Sequence, residues 1–351
     1  MGNSFTKKNG LGIMPIMNQG KKRVGLTVEQ HVSGVLSGDR SVLARTITLI
    51  ESNASAHFEK ARRVLKALLP HSGKSLRIGI SGVPGSGKST LIETLGCFLI
   101  EKGFSVAVLT VDPTSAVTKG SILGDKTRME KLARQDNAFI RPSPSGNTLG
   151  GVARMSRETI LVCEAAGYNV ILVETVGVGQ NEITVRSMVD FFLLVMIAGA
   201  GDELQGIKRG IVEIADALLI NKADGENRSS ALKAKNDYGM ALKYLAPATP
   251  GWITDAHICS ALTGEGIEEI WALITDFEKK TRASGVFNER RKKQSLDWVF
   301  GMIEHFLRDH FFSHPEIRKK LPAMEKKILN GSILPTAAAE QLLGLFFSKT
   351  P

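Results

Sequence analysis

The chain has no stretch of eighteen or more apolar residues; its most apolar run, 191–200, is of strand length, which excludes a membrane-spanning helix. It has only three cysteines, Cys97, Cys163 and Cys259, far apart and without a C-x-x-C pair. They form no disulfide framework or thiolate metal site, and reduced thiols point to the cytoplasm. Aromatic residues are 6% of the chain, and none is interleaved with basic residues as in RNA-binding motifs. Helix-turn-helix and zinc-finger patterns are also missing. The net charge of +10, from 45 basic and 35 acidic residues, therefore reads as solvated faces and no nucleic-acid partner is expected. Much of the basic surplus lies near the two ends, in residues 1–23, 290–293, 318–320 and 326–327. His310 and His314 stand four apart, but Pro315 follows at once and no third ligand is near in sequence. No Ser-His-Asp or Cys-His arrangement emerges.

What is present alternates in character along the chain. Residues 1–26 form a basic tail expected to be disordered. Residues 27–72 read as a helical extension, opened by a possible capping box between Thr27 and Gln30 and stopped at Pro70. Residues 73–280 alternate short Val/Ile/Leu-rich runs with helix-length segments. The runs at 76–81, 105–111, 138–140, 169–174, 190–197, 216–220 and 257–260 predict an α/β fold with a mostly parallel sheet covered by helices on both faces. Residues 281–351 return to charged helices with little left to pack against, an arm suited to a second copy of the chain or another protein.

The most specific feature lies at the end of the first run. Gly82, Val83, Pro84, Gly85, Ser86, Gly87, Lys88, Ser89 and Thr90 complete the pattern G-x-x-x-x-G-K-[ST] between a strand and a helix. The glycines let successive N–H groups face phosphate oxygens at a helix N-terminus; Lys88 reaches the β- and γ-phosphates, and the Ser89 hydroxyl suits Mg²⁺. Asn221, Lys222 and Asp224 form N-K-x-D at the end of a later strand. That set reads guanine: Asn221 on the base edge, Asp224 on the ring N–H and exocyclic amine, Lys222 across the base. Ser260, Ala261 and Leu262 follow the next strand, where the backbone at Ser260 and Ala261 is expected to meet the guanine oxygen. GTP is thus preferred to ATP.

Asp112, Asp125 and Glu174 are carboxylates at strand ends or in loops. Mg²⁺ takes hard oxygen ligands, so Ser89 with one or two of them is the expected set. For each acid a solvated loop role is the alternative, and it is weakest for Glu174, whose strand is apolar. No glutamine follows Gly177; Gln180 comes three residues on. Slow hydrolysis by the protein alone, raised by a partner or a loop rearrangement, is therefore expected. The glycine-rich segment 199–209 is the candidate moving part, with Lys208 or Arg209 able to carry positive charge to the γ-phosphate, or merely to form a surface ion pair.

Residues 82–90, 111–115, 120–129, 173–180, 200–208 and 221–224, in that order, resemble the methylmalonyl-CoA mutase-associated GTPases of the MeaB/MMAA/ArgK type, a family also described as arginine/ornithine transport system kinases. The resemblance runs from about residue 27 to the end. It implies a P-loop G domain with a C-terminal homodimerisation arm and Mg²⁺ ligands Ser89, Asp112, Asp125 and Glu174. It also implies a partner-sensing switch including Gly177, Gln180, Asp202, Glu203, Gln205 and Lys208, with Lys88 and Lys208 acting on the γ-phosphate. The implied function is GTP-gated chaperoning of a B12-dependent acyl-CoA mutase, with a cobalamin adenosyltransferase as second partner, in the cytoplasm or, for a eukaryotic source, the mitochondrial matrix. The alternatives are a kinase or ATPase of an arginine/ornithine transport system, and a nickel-insertion GTPase, which the wide cysteine spacing disfavours.

Overall fold

The computed structural model describes residues 25–52, 54–111, 129–142, 149–175, 181–199 and 209–347. The expected basic tail thus falls outside the described residues, apart from 25 and 26. Seven strands form one sheet: β1 (Leu76–Gly82), β2 (Val106–Val111), β3 (Ala138–Arg141), β4 (Val170–Thr175), β5 (Phe191–Ile197), β6 (Ala217–Asn221) and β7 (Ala256–Ile258). Their order is β3-β2-β4-β1-β5-β6-β7, and every pairing is parallel. All seven expected strands occur, each within two residues of its expected bounds.

Parallel strands leave no face for water, so alternate side chains feed two cores. In β2, Ala107, Leu109 and Val111 enter one core and Val106 and Val108 the other. The first core also takes Val35, Leu43, Ile47, Val64 and Leu68 from the N-terminal helices α1 (Val28–Leu36), α2 (Arg40–Ile50) and α3 (Ser55–Leu68). α1 begins in the expected capping box, with Thr27 and Gln30 exchanging hydrogen bonds at 2.8 and 3.2 Å. The second core takes Leu91, Ile92, Leu95 and Leu99 from α4 (Lys88–Glu101), and Leu132 from α5 (Glu130–Ala133).

Further along come α6 (Leu149–Ala165), α7 (Asn181–Arg186), α8 (Arg209–Val212), α9 (Arg228–Leu242) and α10 (Ile267–Ala283). The arm consists of α11 (Val286–Ser313), α12 (Pro315–Leu329) and α13 (Pro335–Phe347). Among the described residues no helix is long and apolar enough to cross a membrane.

β1 lies at the centre, and the chain leaves it for β2 on one side and later adds β5 on the other. Such a reversal opens a crevice at the carboxyl ends of the strands, where α/β sheets bind ligands. The loop between β1 and α4 closes that crevice.

Candidate nucleotide site

Backbone sterics decide the start of the loop. Gly82 has φ +150°, and any Cβ there would collide with the Val195 carbonyl of the neighbouring strand. The loop ends at Gly87, which caps α4 in a left-handed conformation with φ +85°. Between them, Ser86 is buried and its hydroxyl has no partner among the described residues. Lys88 donates to the carbonyls of Gly82 at 2.8 Å and Val83 at 3.2 Å, so its ammonium lies against the loop. Burial pulls its pKa below the usual lysine range, while Glu174 and Glu182 oppose that shift.

Ser89, on the first turn of α4, donates to Glu174 Oε1 at 3.0 Å. Glu174 is 5% exposed and stands one residue before the end of the apolar β4, opposite Ile80 of β1. Two of the four expected Mg²⁺ ligands are thus adjacent, and both are hard oxygens of the kind that metal selects. Asp112 and Asp125 lie outside the described residues, as do Gly177, Gln180, Asp202, Glu203, Gln205 and Lys208.

At the base-reading end, Asn221 is 1% exposed and joins three segments. Its Nδ2 donates to the Ser86 carbonyl at 2.8 Å, and its Oδ1 accepts from the Ala261 amide at 3.0 Å and the Cys259 thiol at 3.3 Å. Burial pushes that thiol up to about 12, which keeps it a donor. Asp224 accepts from the Ser260 hydroxyl at 2.7 Å. Lys222 takes φ +59°, the only positive φ outside glycine among the described residues, and its carbonyl accepts from Asn227 at 2.7 Å. A left-handed lysine is unfavourable, and such strain gathers at binding sites.

The structure departs from expectation over the backbone donors. The Ser260 amide donates to Glu265 at 2.9 Å and the Ala261 amide to Asn221, because the turn closes on itself. Leu262, 80% exposed, has the N–H of the three that meets no protein acceptor among the described residues. Sequence reasoning also missed Thr94, which donates to the Ala261 carbonyl at 2.7 Å and ties α4 to this turn. Its position one turn beyond Thr90 carried no motif signal. Thr175 and Ser81, bonded at 2.9 Å between the ends of β4 and β1, were equally silent.

Residues 43–316 match the family model described as methylmalonyl Co-A mutase-associated GTPase MeaB. The chain is 44% identical to a mitochondrial methylmalonic aciduria type A homolog of Mus musculus, covering 92% of this chain and 80% of that protein. It is 43% identical to the GTPase ArgK of Escherichia coli, over 90% and 96% of the two chains. The crystal structure of a LAO/AO transport system kinase is similar at a TM-score of 0.75 and 37% identity, over 91% of this chain and 97% of that one. With its G-x-x-x-x-G-K-[ST] loop and its N-K-x-D strand end in one parallel sheet, this chain belongs to the methylmalonyl Co-A mutase-associated GTPase MeaB family and hydrolyses GTP.

Proposed function

We propose that this GTPase is a chaperone of methylmalonyl-CoA mutase or a related B12-dependent acyl-CoA mutase. It gates adenosylcobalamin delivery from a cobalamin adenosyltransferase and protects or reactivates the mutase. The observation that carries this reading is the match of residues 43–316 to a family described as mutase-associated. Reduced thiols and the mutase partner favour work in the cytoplasm, or in the matrix for a eukaryotic source.

In the site, Lys88 and the loop amides hold the phosphates, Asn221 keeps the base-reading turn in register, and Asp224 takes the guanine donors. Ser89, Asp112, Asp125 and Glu174 would hold Mg²⁺, which supplies charge neutralisation on the phosphates when bound. Lys208, in a switch with Gly177, Gln180, Asp202, Glu203 and Gln205, adds its charge when a partner docks. Hydrolysis by the protein alone is accordingly slow. A homodimer through the arm is supported by α11, where Leu296, Phe300, Ile303 and Leu307 recur at helical spacing and all are exposed.

The test is phosphate release from GTP with and without purified mutase, for the native chain and for Lys208→Ala. Stimulation by mutase that the variant loses, with GTP affinity retained, supports the reading. A mutase that neither binds nor changes the rate defeats it. The similar transport system kinase favours a second reading, phosphoryl transfer to a transport protein. Label moving from γ-labelled GTP to such a protein, rather than to water, would select it.

A further inference from the structure

A threonine inside a helix can return its hydroxyl to the carbonyl one turn back, and Thr46, Thr48, Thr275 and Thr281 do so. Thr94 does not. Half-buried on α4, it sends its hydroxyl out of the helix to the Ala261 carbonyl at 2.7 Å. It stands six residues along α4 from Lys88, about 9 Å of helix.

The segment it reaches, 259–262, lies in the turn between β7 and α10. Its other hydrogen bonds among the described residues stay within the turn or run to 220–224. The Cys259 amide donates to the Ile220 carbonyl and the Ala223 amide to the Cys259 carbonyl, both at 3.0 Å. The Ala261 amide donates to Asn221, the Ser260 hydroxyl to Asp224 and the Gly264 amide to the Ser260 carbonyl. Two hydrogen bonds among the described residues therefore cross from 82–101, which carry the phosphate loop, to 221–224 and 259–262. Asn221 to Ser86 ties the loop to β6, and Thr94 to Ala261 ties α4 to the turn.

That second tie also sets a direction. The peptide between Ala261 and Leu262 is trans, so its C=O and N–H point opposite ways. Drawing the carbonyl onto α4 turns the Leu262 N–H away from that helix, where it meets no acceptor among the described residues. Ala261 is 4% exposed, and a buried carbonyl left without a donor is costly, so the turn would shift if the hydroxyl were lost.

We infer, given the reading of Ser260, Ala261 and Leu262 as the guanine contact, that Thr94 is a positioning residue for base specificity. Acting through Ala261, its hydroxyl holds the turn at the distance from α4 at which the turn's backbone meets the guanine oxygen. Phosphates at the start of α4 and a base at the turn are thereby kept at a fixed spacing.

The test is calorimetric titration of the full chain in Mg²⁺ with GDP and with the 5′-diphosphate of 2-aminopurine riboside, a guanine analogue lacking the oxygen. The native chain should bind GDP at least about tenfold more tightly than the analogue. Thr94→Val keeps the side-chain shape and removes the donor; it should weaken GDP roughly three- to tenfold and leave the analogue unchanged. Thr94→Ala, a second donor-free variant with better helix propensity, should behave alike, and Thr94→Ser should restore the native preference. Equal weakening of both ligands, no weakening of either, or a Thr94→Ser as poor as Thr94→Val would each overturn the assignment. Equal binding of GDP and the analogue by the native chain would instead defeat the reading of the turn, and the role of Thr94 with it.

Discussion

Gly87 and Asn221 share one space: a Cβ built on Gly87 would stand 2.6 Å from Asn221 Nδ2, the atom that holds the Ser86 carbonyl. The phosphate loop can approach the end of β6 this closely only because residue 87 has no side chain. Gly87→Ala should push Asn221 away and weaken GDP binding, and Asn221→Ala should do so by leaving the Ala261 amide and Ser86 carbonyl unpaired. The two losses should not add. With the Asn221 side chain gone, the extra methyl has room, and a double-mutant cycle on GDP affinity should give a coupling of about 1–3 kcal/mol. Additive losses would mean that the two residues act independently.

The strands, the capping box and the phosphate loop were legible because each depends on local sequence: apolar runs, a Thr/Gln pair three apart, a spaced glycine–lysine pattern. The frame behind the base-reading turn was not. Thr94 and Ala261 are 167 residues apart, and Asn221 and Ser86 are 135 apart. Nothing in either segment signals such a contact, because topology alone brings the segments together. The role of Asn221 shows the limit. Its motif points to the base, and burial with three hydrogen bonds gives it a second part the motif did not announce, a tie between the phosphate loop and the turn.

Ser89 and Glu174 give a prediction specific to the metal. Ser89→Ala removes one hard-oxygen ligand and leaves the buried Glu174 without the hydroxyl at 3.0 Å. Affinity for a fluorescent GDP analogue should fall about tenfold or more in Mg²⁺ and change little in EDTA, since only the metal-dependent part is lost. An equal loss in both conditions would make Ser89 a structural residue rather than a ligand.

His31 sets an acid limit on the N-terminal helices. It is buried between α1 and α2, with Nδ1 2.8 Å from the Thr46 hydroxyl. Burial holds its pKa below 6.5, and the charges of Lys60 and Arg45 add to this. The unfolded chain then binds the proton more readily, so this contribution to stability is present above pH 6.5 and is lost as pH falls through the folded value. Urea midpoints measured from pH 7.5 downward should fall more steeply for the native chain than for His31→Gln. Parallel curves would show that His31 titrates alike in both states.

Asp216 should be the costliest single acid to remove at the arm's root. It is fully buried, accepts from Arg186 at 2.5 and 3.2 Å and from the Phe192 amide at 2.9 Å, and also from Thr249. Arg290 of α11 lies 3.6 Å away and itself bonds Thr249 and the Asp190 carbonyl, so one carboxylate anchors the arm to two strands. Burial depresses the Arg290 pKa, and the charge of Asp216 opposes that shift. Asp216→Ala leaves two buried guanidinium groups without this partner, a change that costs about 3–5 kcal/mol when a buried pair is broken. Urea denaturation should register it, and Trp252 fluorescence should report the same transition, because the indole donates to the Asp216 carbonyl at 2.8 Å. Glu289→Gln, at an exposed pair with Lys292, is the control and should leave the midpoint unchanged. A midpoint for Asp216→Ala as close to native as the control's would mean that α11 is held by its apolar contacts and not by this network.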